Sequence, residues 1–173
     1  GWGVMGMKAV ISECGTYRYR LERTVGEGSK TVVWIMVNPS TADHQQDDAT
    51  IRRLIGFTRR LGGGRLVVVN KFAFRATDVA ELEDAVDPAG PDNESHIVAA
   101  MKEADLCVVG WGKLDKLPLS LRNAYDSVCK IAADIDMPLT CLAINKDGSP
   151  RHPLFVSSDA ELLPWPAPTE GRP

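Results

Sequence analysis

Four blocks of apolar residues, each about the length of a strand, punctuate this chain: 32–37, 65–70, 106–112 and 139–144. The first reads Val32-Val33-Trp34-Ile35-Met36-Val37 with no apolar–polar alternation, the pattern of a strand covered on both faces in a parallel sheet. Asn38-Pro39 closes it, because proline cannot donate to a sheet ladder. The second block ends in Asn70, the third in Trp111-Gly112, and the fourth runs into the Asn145-Lys146-Asp147-Gly148 turn. Residues 16–23 differ: aromatic or apolar residues alternate with charged ones, which predicts a half-exposed strand at a sheet edge.

Helical patterns fill the gaps. Asp47 or Asp48 stands as N-cap before a segment whose Ile51, Leu54, Ile55 and Leu61 share a face, and Gly62-Gly63-Gly64 ends it. Further helices are expected near 79–85, over 93–104, and from Pro118 to about Ala133. Strands alternating with helices predict a three-layer α/β/α fold. Its centre is a mainly four-stranded parallel sheet with an N-terminal edge strand. Residues 14–165 read as a single domain, 1–13 as a loose leader, and 166–173 as a loose, Pro-rich tail.

Composition adds bounds. With 173 residues, 44% hydrophobic and 25% charged, the chain is ordinary for a soluble globular domain. No apolar run approaches the roughly 20 residues of a membrane span, and no signal-peptide pattern is present, so a cytoplasmic protein is expected. The four cysteines have no C-x-x-C pairing; Cys107 and Cys141 lie in apolar blocks and are expected to be buried thiols, with no metal and no cofactor implied. The formal charge of −3 conceals a polarity. Residues 15–75 carry 11 Lys/Arg against 5 Asp/Glu, and residues 76–140 carry 5 against 13, so an anionic partner is expected to meet the first half. Arg52, Arg53, Lys71 and Arg75 are the candidate contacts there, with Arg151 beyond them; the alternative is that they are solvated surface charges.

Parallel strands deliver their carboxyl ends to one edge of the sheet, so Asn38, Asn70, Trp111 and His152 are expected to converge. Two amides, an imidazole and nearby aromatics suit a flat, polar heterocycle, since an amide offers both a donor and an acceptor. Histidine can donate to an oxygen or nitrogen that gains negative charge. Phe72 and Phe74, interleaved with Lys71 and Arg75, could stack on a ring or plug the end of the sheet.

The stretch Asn38-Pro39-Ser40-Thr41-Ala42-Asp43, with Asp47-Asp48-Ala49-Thr50-Ile51-Arg52-Arg53 and Arg151-His152-Pro153-Leu154, resembles the bacterial and phage family called domain of unknown function 1643. The order of motifs is also similar, remotely, to the uracil-DNA glycosylase superfamily. That resemblance implies the three-layer fold and four roles. Asn38 would position an attacking water, Asn70 would read the base edge, Ser40 would leave room for a larger base, and His152 would stabilise the departing base anion. Phe57 stands where a stacking ring could be sought, and the His-Pro loop runs into Leu154-Phe155 rather than into the superfamily's usual His-Pro-Ser. The function implied is hydrolysis of an N-glycosidic bond to a modified or damaged base in DNA. Hydrolysis of a free nucleoside or nucleotide, and a non-catalytic nucleic-acid-binding or interaction module, are the alternatives.

Overall fold

The computed structural model describes residues 6–166. The leader residues 1–5 and tail residues 167–173 lie outside them. The elements follow as β1 (Met7–Ile11), β2 (Arg18–Thr24), β3 (Lys30–Met36), α1 (Ala49–Arg60), β4 (Gly63–Asn70), α2 (Asn93–Glu103), β5 (Leu106–Val109), α3 (Asp126–Asp134), β6 (Leu139–Cys141) and β7 (Leu163–Pro164). They make one mixed seven-stranded sheet in the order β1-β2-β4-β3-β5-β6-β7. The four strands β4, β3, β5 and β6 are parallel, while β1, β2 and β7 run antiparallel to their neighbours. The expected parallel centre is present, inside a larger, mixed sheet.

Side chains alternate across β3 and β4 as a pleat requires. Val33, Ile35, Val67 and Val69 face Ile97 and Met101 of α2 and Val128 and Ile131 of α3. Trp34, Leu66 and Val68 face Ile51, Leu54 and Phe57 of α1. Helices therefore cover both faces. Trp34 is fully buried, and its indole Nε1–H donates to Thr58 Oγ1 at 3.0 Å, so its single polar atom is satisfied.

Three expectations are corrected. Residues 7–11 are not a loose leader: they form β1, the true edge. The alternating segment is consequently the second strand, and it is buried. Arg18, Arg20 and Arg23 are each less than 9% exposed. Arg20 pairs with Glu103 at 2.7 Å and Arg23 with Asp47 at 2.8 Å. Alternating charge failed as a sign of exposure because these guanidiniums have acceptors inside the fold. Finally, the helix expected from Pro118 begins only at Asp126. Short 3-10 turns at Leu114–Lys116 and Leu119–Leu121 precede it, and Arg122 donates to the carbonyls of Leu117 and Asp115 that those turns leave open.

Candidate functional site

From β3 the chain crosses through α1 on one face of the sheet to β4. From β4 it crosses through α2 on the other face to β5, which lies on the opposite side of β3. The loops after β3 and β5 therefore part company. In open α/β sheets that divergence opens a crevice at the carboxyl ends of the strands. A cleft of about 640 Å³ lies there. Asn38, Ser40, Asp48 and Thr50 form one wall, Trp111, Lys113, Lys116 and Leu117 another, and Asn145, Arg151, His152 and Phe155 a third.

Local geometry fixes each wall. Asn38 directs both hydrogens of its amide at backbone, to the carbonyls of Ala76 (2.7 Å) and Pro39 (3.0 Å). Its Oδ1 receives no hydrogen bond from the described residues, and Asn38 lines the cleft. Asp48 caps α1, its Oδ1 accepting from the Ile51 N–H at 2.9 Å. Trp111 is stacked on Tyr125, with ring centroids 4.0 Å apart, and meets Trp165 edge-on at 5.0 Å. Gly112 follows with a φ of +88°, a left-handed turn that suits glycine, and its N–H donates to the Pro150 carbonyl at 2.9 Å. That bond ties the loop after β5 to the segment carrying His152.

His152 is held from behind. Its Nδ1 accepts the Leu154 N–H at 3.2 Å, which leaves Nε2 as the nitrogen carrying the proton of the neutral ring. Burial, with the nearby Lys116 ammonium, pushes its pKa down to about 4, against a small opposing pull from Asp48. The imidazole is thus a neutral N–H donor at physiological pH. Arg53 reaches from α1 to the carbonyls of Pro153 (3.3 Å) and Val156, which fixes the turn after His152.

Most of the expected convergence is seen. Asn38, Ser40, Trp111, Arg151 and His152 line the cleft. Asn70 lies just beneath it, in a smaller pocket that shares six of the cleft's residues. The remaining candidates are elsewhere. Phe57 packs against Trp34 in the core and lies under the guanidiniums of Arg53 and Arg60. Phe72 is 2% exposed and meets Tyr125 edge-on, so it plugs the sheet end. Phe74 packs against Tyr17.

Of the expected anion contacts, Arg151 lines the cleft and the other four make bonds elsewhere. Arg52 donates to the Asp47 carbonyl, Arg75 to those of Ser40 and Thr41, and Lys71 to Ser127 Oγ. With Arg53 held on Pro153 and Val156, none of these four lines the cleft. The cations that line the cleft are Lys113, Lys116 and Arg151, none of them from the basic first half. Asp48, Thr50, Asn145 and these two lysines were missed. Asp48 alone carried a signal, since an N-cap after a strand-end loop must lie near the site.

Among the described residues, no cluster of three or more His, Cys, Asp or Glu side chains is placed to hold a metal, and no helix is long and apolar enough to cross a membrane. No curated protein and no solved structure matches the chain. Residues 18–154, which include every wall of the cleft except Phe155, match the family described as "Protein of unknown function (DUF1643)", and the chain belongs to that family.

Proposed function

We propose that the protein hydrolyses the N-glycosidic bond of a modified or damaged base in DNA. One observation carries this reading: an amide oxygen with no donor among the described residues and a neutral imidazole N–H line the same cleft. Cleaving a base from its sugar needs those two things, an acceptor that orients water and a donor that meets negative charge on the leaving base. The C1′–N bond breaks with its electron pair passing to the base, where His152 Nε2–H donates. The water held by Asn38 Oδ1 adds its oxygen to C1′. Its proton passes to the Asp48 carboxylate, since an amide is too weak a base to take it. Trp111 supplies an aromatic wall, and Lys113, Lys116 and Arg151 meet phosphates flanking the flipped nucleotide.

The test is a panel of oligonucleotides, each with one modified base, incubated with the full chain and treated with alkali to reveal abasic sites; mass spectrometry identifies the released base. The wild type is expected to give product from at least one oligonucleotide, and Asn38→Ala and His152→Ala to lose about a hundred- to a thousand-fold in rate. Product made equally well by both variants would refute the roles. Release of base from free nucleosides alone would move the activity to nucleoside hydrolysis.

A further inference from the structure

The turn from Asn145 to Ser149 holds a chain of side-chain hydrogen bonds that the proposed reaction does not use. Arg151 Nε–H donates to Asn145 Oδ1 at 3.2 Å, and Asn145 Nδ2–H donates to Ser149 Oγ at 3.1 Å. Ser149 Oγ–H in turn donates to Asp147 Oδ1, which the Ser149 N–H also meets at 2.9 Å. The chain has one direction only. A guanidinium can only donate and a carboxylate can only accept, so the amide and hydroxyl between them are fixed in a single orientation. Asn145 and Ser149 are 8% and 3% exposed, and buried hydrogen bonds linked in this way polarise one another. The other Asp147 oxygen, Oδ2, accepts the Leu114 N–H at 3.1 Å. One carboxylate therefore grips two walls of the cleft, the segment with Lys113 and Lys116 and the segment with Arg151.

What the chain aims is a set of unspent charges. Among the described residues, Lys113, Lys116 and Arg151 form no salt bridge with a carboxylate. Asp48, the carboxylate that lines the cleft, belongs to a different wall. Lys116 lies over the Phe155 ring, 5.0 Å from its centre, a contact that occupies no hydrogen-bond acceptor. Arg151 spends Nε on Asn145, and its Nη1 and Nη2 have no partner among the described residues. That fork can make two parallel N–H bonds to a phosphate. An arginine already held in place also loses less side-chain freedom on binding than a free one. We propose that Asp147, Ser149 and Asn145 are positioning residues, which hold the Arg151 fork and the Lys113–Lys116 segment ready for one phosphoryl group of the ligand. The inference rests on the proposed hydrolysis only in expecting a ligand that carries phosphate.

Inorganic pyrophosphate, titrated into the full chain and followed by amide NMR, tests it. Shifts are expected at Gly112, Lys113 and Arg151, and Arg151→Gln should weaken binding about tenfold. Asp147→Ala separates aim from charge. It removes a negative charge beside a cationic site, so charge alone predicts tighter binding, whereas loss of aim predicts binding weaker by about threefold or more. Asn145→Ala should weaken binding by a similar factor in the wild type and by nothing further in Arg151→Gln, because it acts through that guanidinium. Ser149→Ala breaks the chain at its middle and serves if Asn145→Ala does not fold. Absence of shifts in the cleft, binding unchanged or tighter in Asp147→Ala, or losses that add in the double variant would each overturn the proposal. Base release from oligonucleotides is scored separately. Weaker pyrophosphate binding in Asp147→Ala, without base release by the wild type, refutes the reaction and leaves the positioning residues standing. Base release by the wild type, with pyrophosphate binding unchanged in Asp147→Ala, refutes the positioning alone.

Discussion

A neutral, half-buried His152 ties stability to pH in a direction that can be worked out. The unfolded imidazole takes up a proton near its ordinary pKa of 6.5, and the folded one near 4. Between those values the unfolded chain binds more protons, so stability is fully present above pH 6.5 and is lost as pH falls towards 4. At about 1.4 kcal/mol per pKa unit, the shift allows a loss of at most about 3 kcal/mol, of which about 2 kcal/mol is spent between pH 7 and pH 5. His152→Asn removes the titration while keeping an acceptor for the Leu154 N–H, because its Oδ1 lies close to where Nδ1 was. Urea unfolding of wild type and variant at pH 7 and pH 5 measures the difference. His96, held low by burial and by Arg20, and the carboxylates titrate in both proteins and cancel. The wild type should lose about 2 kcal/mol more than the variant over this interval. Parallel losses would show that His152 is not a desolvated imidazole and would remove the basis for treating it as a neutral donor.

Three further outcomes are expected. Asp48→Asn keeps a good N-cap on α1, so its melting temperature should stay within a few degrees of wild type while turnover falls at least tenfold; unchanged turnover would clear Asp48 of a role in accepting the proton. A Cβ on Gly110 would lie 2.9 Å from Pro153 Cδ and 3.2 Å from Cγ, and the rigid ring cannot swing aside, so Gly110→Ala should displace the His152 segment at a cost of about 1–3 kcal/mol and lower turnover, with a wild-type urea midpoint counting against this packing. Arg53→Met removes the donors to Pro153 and Val156 and should cost about 1–3 kcal/mol, seen as increased protease cleavage after residue 152; an unchanged cleavage pattern would show that the tether is dispensable.

The buried strands were legible because their apolar runs reflect burial on two faces; the cap of α1 was legible only as Asp47 or Asp48, and the structure makes it Asp48. The placement of Asn38, Trp111 and His152 along one cleft followed from topology alone. Burial of Cys107 and Cys141 followed from the apolar runs they occupy. What escaped the sequence depends on reach. An arginine can span several ångströms to a carbonyl or carboxylate distant in the chain, so Arg20, Arg23 and Arg53 were spent inside the fold while looking free. Charge summed over a segment says little about charge in space, which is why the cleft is lined by Lys113 and Lys116 of the acidic segment, beside the expected Arg151, and by no cation from residues 15–75. Arg18 was hidden for the same reason: its strand looked like an exposed edge, whereas its side chain is 2% exposed and lines the smaller pocket beneath the cleft.

The bonds from Arg53 to Pro153 and Val156 join positions 100 and 103 residues apart. A chain emerging from the ribosome can therefore complete β3, α1 and β4 long before the cleft exists. Closing so long a loop is entropically expensive and slow, and it is rewarded only once the last third of the chain has arrived. Until then Arg53 and the floor of the cleft face water. Function in this protein is a late product of synthesis, acquired only after most of the core has condensed.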